Sequence, residues 1–434
     1  MMVNDDRYDN MEEEMMKKRK KILTALLGAA LCSAMANSML TPAYATETWS
    51  TEESEGMEMT GMEKEQKARL DTAIKTADKI ANIHKNENIM FSPTSLNFAL
   101  GMLEEGAKGE TKDALSRYLS TGNYSDFAKQ YMQSVQDYSN DGENYGYKTE
   151  LSIANAIWTD EDIELKKGFQ NAAKNKFTAS VENLDFSNKE QSCKTINDWC
   201  DEKTNHLIPE IVTPDSLPES TGMCLTNSLY FECGWAGEPW DVETEEDDFG
   251  SEGEKTTYMT STSEDDAYYE NEKATAFSHA YANGLQFLGI LPKEDGDFTL
   301  EELDIPGLIK TKPEYTEVYA RMPKLNFTTS SDLTGILSDS GLQNIFSDNA
   351  DFSGISDSQL AVGSILQKTN IQLDENGTKA AAVTAALMRC MALMPGDDVI
   401  KEVNLNRPFA FMIYDMRNDE PLFIGKITTS VMNN

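Results

Sequence analysis

Apolar residues at helical spacing mark the first regular element of the chain. Downstream of Gln66 they recur every three or four positions, at Leu70, Ala73, Ile74, Ala77, Ile80 and Ala81. This spacing places them on one face of an amphipathic helix. The short apolar run at 89–91 then leads into Ser92-Pro93, a pair typical of a helix N-terminus. We therefore expect a helix, a short strand and a second helix in this order.

Alternating apolar positions predict strands farther along the chain. The longest alternation covers residues 223–235 and carries one polar residue, Asn227, on its buried face. Shorter apolar runs at 151–158, 284–292 and 365–375 predict three more strands, and residues 196–204 have the character of a helix. This mixture indicates an α+β protein without internal repeats.

The segment 374–398 has a different pattern. Every second residue from 378 onward is small, namely Thr378, Ala380, Ala382, Thr384 and Ala386. A strand of this kind fits between two existing strands without needing a cavity. A methionine-rich piece and Pro395-Gly396 follow, which are typical of an exposed loop. We interpret the segment as a loop in one state and a strand in another, although its alanines also suit a helix.

The charge of the chain limits its partners. Asp and Glu total 74 and Lys and Arg total 38, which gives a net charge of -36 over 434 residues. Such an acidic chain is a poor match for nucleic acid or an anionic membrane surface, and we expect neither as a partner. The composition, 39% hydrophobic, is sufficient for a large core.

The first 64 residues predict an export signal and a tether. Residues 17–21 are all basic, residues 22–36 are mostly apolar, and Ala43-Tyr44-Ala45 has the form of a signal-peptidase site. Residues 1–45 are therefore predicted to be a leader, with translation starting at Met1, Met15 or Met16. Residues 46–64 are predicted to be a disordered acidic tether, and residues 65–434 the folded domain. We expect a secreted, extracellular protein.

The cysteines do not predict a disulfide framework. Five remain after the leader, at positions 193, 200, 224, 233 and 390. Cys193 and Cys200 lie seven residues apart on a predicted helix, which separates them by roughly 10 Å along its axis, too far for a disulfide. Cys224 and Cys233 face opposite sides of one predicted strand. We expect buried, reduced thiols.

Several motifs resemble those of the serpins, the family of serine protease inhibitors. The hinge of their reactive loop is similar to a run of residues here, Glu375, Gly377, Thr378, Ala380, Ala381, Ala382 and Thr384. The stretch N-I-M-F-S-P-T-S at 88–95 is similar to the family's opening signature, and N-S-L-Y-F-E-C-G-W at 227–235 to its central strand. The resemblance covers about residues 66–430 in unbroken order.

This resemblance implies a fold and a function. The expected fold is a large central β-sheet with an insertable reactive loop, smaller sheets and about eight to nine helices. The expected function is suicide inhibition, in which the cleaved loop inserts into the sheet while the target serine protease is still attached as an acyl-enzyme. A monomeric inhibitor with a covalently bound protease as partner is expected.

The resemblance also assigns roles to two groups of residues. Ser92, Ser95, Asn227 and Gln367 correspond to the polar cluster at which the sheet of the family opens, although the family commonly has histidine in place of Gln367. Lys324 and Glu375 correspond to an ion pair beside the hinge, with Trp235 packed beneath it. A buried Ser or Asn is also an ordinary satisfied core group, and an exposed ion pair contributes only about 0–1 kcal/mol.

The scissile bond follows from the same resemblance. The family is cleaved sixteen residues after the hinge glutamate, which here gives the bond between Met391 and Ala392. A Met at this position suits elastase-, chymotrypsin- or subtilisin-like proteases, and neighbouring bonds from Arg389 to Met394 remain alternatives. Asn376-Gly377-Thr378 is also an N-glycosylation acceptor, and a glycan there would block insertion, so we expect Asn376 to be bare in the native protein.

Catalysis by the chain itself is not expected. The three histidines, at 84, 206 and 279, lie in no recognisable Ser/His/Asp arrangement. The sequence has no Gly-rich phosphate loop and no metal-ligand spacing, so neither a cofactor nor a metal is predicted. The alternative to an inhibitor is a non-inhibitory binding protein of the same fold. A secreted hydrolase is a third and weaker hypothesis.

Overall fold

The computed structural model describes residues 61–430 except for residues 122, 145–148, 218–221, 238, 244, 251–253 and 379–399. These described residues contain eight α-helices: α1 (Gly61–Ile83), α2 (Pro93–Gly106), α3 (Gly109–Tyr118), α4 (Tyr124–Asn144), α5 (Lys167–Phe177), α6 (Lys189–Lys203), α7 (Ile305–Lys310) and α8 (Thr334–Leu337). Short 3-10 or π turns occur at Pro214–Ser216, Glu301–Leu303, Ser338–Leu342 and Gln343–Phe346.

Nineteen strands accompany these helices in the described part of the chain. The first ten are β1 (Ile89–Phe91), β2 (Glu150–Asp160), β3 (Ser180–Leu184), β4 (Met223–Gly234), β5 (Asp241–Val242), β6 (Asp247–Phe249), β7 (Glu254–Thr256), β8 (Tyr258–Ser263), β9 (Ala267–Glu270) and β10 (Ala274–Ala280). The others are β11 (Gln286–Pro292), β12 (Glu314–Tyr315), β13 (Val318–Pro323), β14 (Leu325–Asp332), β15 (Ser364–Asp374), β16 (Gly377–Thr378), β17 (Lys401–Asn404), β18 (Phe409–Asp415) and β19 (Glu420–Ile427). The predicted α+β class is confirmed.

The strands form three main sheets. A six-stranded sheet has the order β14-β15-β16-β4-β2-β3, a seven-stranded sheet the order β1-β19-β18-β11-β10-β9-β12, and a four-stranded sheet the order β17-β13-β8-β5. Strands β6 and β7 pair separately. Helix α2 is buried almost throughout and contacts β19 of the seven-stranded sheet as well as β2 and β4 of the six-stranded one. The N-terminus of α2 therefore lies beneath the six-stranded sheet.

Strand β4 is the centre of the six-stranded sheet. All twelve of its residues are buried, as expected for a strand that is covered on both faces. Cys233 belongs to the main hydrophobic core on one side, and Cys224 to a smaller core with Trp158 and Cys200 on the other. Cys193, Cys200, Cys224 and Cys233 are all buried free thiols. The prediction that Cys224 and Cys233 face opposite sides is confirmed.

Two sequence-based boundaries differ from the structure. Helix α1 begins at Gly61 rather than at Gln66, so residues 61–64, assigned to the tether, are helical. The acidic Glu63 in the first turn suits the positive end of the helix dipole, and Lys67 forms an ion pair with Asp71 at 2.8 Å. The remainder of the predicted tether and the leader lie outside the described residues.

Candidate functional site

The candidate site is the boundary between β4 and β15, here named the seam. At its lower end, residues 364–367 of β15 pair in parallel with residues 224–227 of β4. At its upper end the short strand β16 lies between the two, pairing Thr378 with Leu373 on one side and with Cys233 on the other. Between these ends no ladder pairing joins residues 368–372 to residues 228–232 within the described structure. Among the described residues, β4 and β15 are thus joined at both ends of the seam and not paired with each other in its middle.

The first hinge residues are already inside the sheet. Thr378 is 4% exposed, and its Oγ1 lies 2.6 Å from the hydroxyl of Tyr281, which is also buried. Gly377 has φ +138°, and a Cβ at this position would lie 2.3 Å from the carbonyl oxygen of Cys233. Only glycine fits so close to β4 with this backbone conformation. The sequence pattern predicted the inward face of Thr378 but not its contact with Tyr281.

Aromatic residues surround this inserted turn. Trp235 stacks on Tyr281 with 4.5 Å between ring centroids and on Trp240 with 5.8 Å. The indole of Trp235 donates a hydrogen bond of 3.1 Å to the carbonyl of Asp374. Burial raises the pKa of Tyr281 well above its ordinary value, so its hydroxyl stays protonated. Trp235 therefore packs below the hinge as the resemblance implied, and also bonds to it directly.

The ion pair beside the hinge is formed. Lys324 Nζ lies 2.5 Å from Glu375 Oε2, and both side chains are partly buried. Burial opposes ionisation of Glu375, but the hydrogen bond and charge of Lys324 outweigh it and lower the pKa of this carboxyl. The main-chain N–H groups of Trp235 and Trp240 donate to the carbonyls of Asn376 and Glu375, at 3.0 and 2.9 Å. The turn at 375–376 is thus held by both charge and backbone contacts.

The lower end of the seam contains the predicted polar cluster. The Gln367 side chain accepts a hydrogen bond from the Ser92 N–H and donates one to the Ser92 carbonyl, both at 2.9 Å. Ser92 Oγ in turn accepts from the N–H of Ser95 and caps helix α2. An amide side chain can do both because it carries a donor and an acceptor. Gln367 therefore fastens β15 to the start of α2.

Asn227 lies at the same level but has a partner that the sequence reasoning missed. Its Nδ2 donates a 2.5 Å hydrogen bond to Asn155 of β2, the neighbouring strand. Four polar atoms here have no hydrogen-bond partner among the described residues: Ser95 Oγ, Asn155 Nδ2, Asn227 Oδ1 and Ser228 Oγ. Each unpartnered buried group costs about 1–3 kcal/mol. The structure thus brings the four predicted residues to one level of the sheet and leaves some of their polar atoms unpaired.

Thr329 and Thr369 also attach the six-stranded sheet to β1, and the sequence did not predict these contacts. Thr329 Oγ1 accepts a hydrogen bond of 2.9 Å from the N–H of Met90, and Thr369 Oγ1 donates one of 2.7 Å to the Met90 carbonyl. Strand β1 pairs with β19 along one edge. The hydroxyls of Thr329 and Thr369 bond to the main-chain groups of Met90 on its other edge. Their positions in the alternating pattern of β14 and β15 were a usable signal, because both point towards the buried face.

The segment that follows α6, residues 204–210, covers the middle of the seam. Asn205 donates a hydrogen bond of 3.1 Å to the Tyr230 hydroxyl, and Lys368 Nζ donates one of 2.7 Å to the carbonyl of Glu210. A small cavity of about 10 Å³ lies below, between Leu229, Ile371 and Thr378. A strand that entered the seam would pass beneath this segment and displace its contacts with β4 and β15.

The remaining predicted site residues lie outside the described structure. These are Ala380, Ala381, Ala382 and Thr384 of the hinge and the proposed scissile pair Met391 and Ala392. Within the part of the chain that is described, no group of His, Cys, Asp and Glu side chains is arranged to hold a metal ion. The same part contains no helix of the length and hydropathy needed to span a membrane.

Comparisons with known proteins agree with this architecture. The family model for serpins, described as serine protease inhibitors, matches residues 67–430. An uncharacterized serpin-like protein of Methanosarcina acetivorans is 31% identical over 360 residues, which are 79% of this chain and 82% of the relative. Alpha-1-antiproteinase S of Cavia porcellus is 30% identical over 352 residues, which are 78% and 84% of the two chains.

A solved structure has the same fold. The native state of tengpin, a thermophilic serpin, superposes with a TM-score of 0.73 at 29% identity, covering 86% of this chain and 96% of tengpin. The family model extends over most of the chain, and the seam, the inserted turn and the Lys324–Glu375 pair lie inside the matched residues. The chain belongs to the serpin family.

Proposed function

We propose that this protein is a secreted serine protease inhibitor that traps its target by inserting its reactive loop into the seam. One observation carries the proposal: Gly377 and Thr378 already lie between β4 and β15, above five residues of each strand that are not paired with the other. A strand that continued downward from Thr378 would meet main-chain groups of β4 and β15 that have no partner in the seam among the described residues. The relative named alpha-1-antiproteinase S is consistent with an inhibitor.

The trapping reaction divides between the protease and this chain. The protease serine attacks the carbonyl of Met391, forms an ester with it and releases the segment that begins at Ala392. The loop from Thr378 to Met391 is then free at one end and inserts, with Ala380, Ala382 and Thr384 on the same face as Thr378. The attached protease is carried along the sheet before water can release it. The inhibitor chain supplies no catalytic group, and it acts once.

The free energy of loop insertion is large enough to distort a bound protease. An inserted strand of about twelve residues forms hydrogen bonds on both edges, each contributing about 1 kcal/mol net. The total of roughly 10–20 kcal/mol is comparable with the 5–15 kcal/mol that stabilises a typical protease. The free energy released by insertion is therefore large enough to distort the protease active site before deacylation.

The lower end of the seam must open during this reaction. Full insertion separates residues 364–367 from residues 224–227 and exposes new hydrogen-bonding groups to the polar cluster. Asn227 Oδ1 and Ser228 Oγ, which lack partners among the described residues, lie on the strand that moves apart from β15. Partners gained there would favour the inserted state. Gln367 keeps β15 attached to α2 throughout.

A panel of serine proteases tests the proposal. Purified protein is mixed with elastase-, chymotrypsin-, subtilisin- and trypsin-like enzymes, and the products are separated in SDS. We expect an SDS-stable adduct with an elastase-, chymotrypsin- or subtilisin-like enzyme, together with a released peptide that begins at Ala392. Complete loop cleavage without an adduct by any enzyme would instead favour a non-inhibitory binding protein of this fold.

A further inference from the structure

The hinge contains an asparagine followed by glycine in an accessible turn. Asp374 of β15 pairs with Gly377 of β16, so Glu375 and Asn376 form a two-residue connection. Asn376 is half-buried, and its N–H donates to Asp374 Oδ1 at 2.8 Å. Among the described residues its side-chain amide has no hydrogen-bond partner. The amide carbon is thus not held away from the neighbouring main chain.

Residue 377 must be glycine because it packs closely against β4. A Cβ at residue 377 would lie 2.3 Å from the Cys233 carbonyl oxygen and 2.7 Å from Gly234 Cα, at a φ of +138°. Glycine places no side chain beside its own nitrogen, and this leaves the nitrogen unobstructed for attack on the preceding asparagine. Because the close approach to β4 requires glycine after Asn376, the hinge contains an Asn-Gly pair, whose side-chain amide is susceptible to attack by the following main-chain nitrogen.

We propose that Asn376 is a deamidation site whose rate depends on withdrawal of the hinge from the sheet. The Gly377 main-chain nitrogen loses its proton to hydroxide and attacks Asn376 Cγ, closing a succinimide ring. The bond from Cγ to Nδ2 breaks, and the nitrogen leaves as ammonia. Water then opens the ring at either carbonyl, giving aspartate or isoaspartate. The net change replaces an amide with an acid, and no oxidant or cofactor is needed.

The inserted hinge resists this reaction. Ring closure requires the Asn376–Gly377 peptide to rotate, but the Asn376 carbonyl accepts a 3.0 Å hydrogen bond from the Trp235 N–H. Thr378 is held by Tyr281 at 2.6 Å, and residues 377–378 pair with strands on both sides. Rotation is therefore coupled to withdrawal of β16, so that the deamidation rate reports how often the hinge leaves the sheet.

The products change the hinge in two ways. Aspartate adds a third negative charge next to Asp374 and Glu375. Isoaspartate also routes the main chain through the side-chain carbon, which lengthens a two-residue connection by one bond of about 1.5 Å. The register of Gly377 between β15 and β4 depends on that length. We therefore expect isoaspartate to favour the withdrawn hinge.

The chain contains an internal control. Its other Asn-Gly pair, Asn283-Gly284, lies in the turn between β10 and β11, where Asn283 is 1% exposed. Asn283 Oδ1 accepts a hydrogen bond of 3.1 Å from the Leu285 N–H, and the attacking nitrogen of Gly284 donates to the Tyr281 carbonyl at 2.8 Å. This pair has the same local chemistry, but Asn283 Oδ1 and the attacking nitrogen of Gly284 are both engaged, and only Asn283 Nδ2 has no partner among the described residues.

The experiment compares the two asparagines in one protein. The full chain is held at mildly alkaline pH, folded or in denaturant, and deamidation is followed by peptide mass spectrometry and by isoaspartyl methyltransferase labelling. In the folded protein Asn376 should react at least about tenfold faster than Asn283, because only its turn opens locally. In denaturant the two rates should become similar. Equal rates in the folded protein would overturn the proposal.

A variant tests the coupling to the hinge. Tyr281→Phe removes the hydroxyl that holds Thr378 but keeps the main-chain carbonyl that accepts from Gly284. Deamidation of Asn376 should accelerate several-fold in this variant, while that of Asn283 is unchanged. An unchanged rate at Asn376 would show that withdrawal of β16 does not control the reaction.

The effect on trapping rests on the proposed function, whereas the chemistry does not. Isoaspartate-376 protein, separated from unmodified protein, should trap a smaller fraction of the protease than the unmodified form, and Asn376→Asp isolates the effect of charge alone. Equal trapping by the modified and unmodified forms would refute this consequence. If the unmodified form also fails to trap, the proposed function fails, and the deamidation rates still test the site.

Discussion

The two ends of the seam close the sheet in different ways. The upper end is held by contacts to the inserted turn: Thr378 bonds to Tyr281, Trp235 bonds to Asp374, and Lys324 pairs with Glu375. At the lower end Gln367 makes two hydrogen bonds to Ser92, but polar atoms nearby have no partner among the described residues. The upper contacts hold the inserted turn between β4 and β15, whereas the lower contacts attach β15 to α2.

Under the proposed mechanism, this difference assigns the start of insertion to the upper end and its completion to the lower end. The upper contacts hold Gly377 and Thr378 in register, so the next residues of the loop would enter the seam from a defined position. At the lower end, Asn227 Oδ1 and Ser228 Oγ have no partner among the described residues. Under the proposed mechanism, hydrogen bonds gained by these atoms when the strands separate would favour the inserted state.

The largest expected effect is at the upper end. Thr378→Arg would place an unpaired charge at a position that is 4% exposed, at a cost of several kcal/mol. The hinge should then leave the sheet and fail to lead insertion, so the variant becomes a substrate that is cleaved without trapping. The measurement is the ratio of SDS-stable adduct to cleaved inhibitor.

Thr378→Ser is the matched control, since it keeps the hydroxyl that meets Tyr281. This variant should retain most of the trapping activity. Undiminished trapping by Thr378→Arg would mean that residue 378 does not enter the sheet first and inward.

A smaller effect is expected at the lower end. Gln367→Ala removes two hydrogen bonds and leaves the buried N–H of Ser92 unpaired, while the Ser92 carbonyl keeps its bond from the Leu96 N–H; the free energy of unfolding should fall by about 2–4 kcal/mol. Thr369→Val removes only the bond to Met90 and should cost about half as much. Urea unfolding measures both. If Gln367→Ala lowers the free energy of unfolding no more than Thr369→Val does, Gln367 is not the main contact between β15 and the start of α2.

The smallest effect concerns the ion pair. Lys324→Met should lower the free energy of unfolding by about 0–1 kcal/mol at neutral pH, because the pair is partly exposed. The folded protein holds the pKa of Glu375 below its ordinary value of 4.5, so the pair stabilises the fold above that pH. Its contribution is lost as the pH falls through the lower folded pKa.

Thermal unfolding of both proteins at neutral pH and at about pH 3 checks this sign. The difference in Tm between the original protein and Lys324→Met should shrink at the acidic pH. A difference that is the same or larger in acid would show that Glu375 does not stabilise the fold through its charge.

The upper end was easier to predict from the sequence than the lower end. Alternation of small residues from Thr378, with Gly377 before it, indicated an inserting strand, because that property belongs to one contiguous segment. Asn155, Thr329 and Thr369 were missed because their contacts join residues 72 to 279 positions apart. Periodicity places such side chains on a buried face but cannot name the partner.

The acidic stretch 241–266 shows the limits of composition as a guide. Its many Asp and Glu residues are typical of a solvent-exposed surface segment, but the structure places β5 to β8 within it and buries Tyr258 and Met259. Arg321 explains the difference, because it makes two 2.8 Å hydrogen bonds to Glu243 and lies 3.6 Å from the Tyr258 ring centroid. A cation far away in the sequence thus neutralises acidic residues beside a strand. The composition of the segment alone cannot predict such a pair.

Hydrogen exchange in the middle of the seam tests the central claim most directly. Peptides covering residues 228–232 and 368–372 are compared between the intact protein and protein cleaved in its loop. If the cleaved loop inserts, the seam-facing amides of both segments gain partners, and their exchange should slow strongly. Unchanged exchange in both segments after complete cleavage would contradict insertion between β4 and β15.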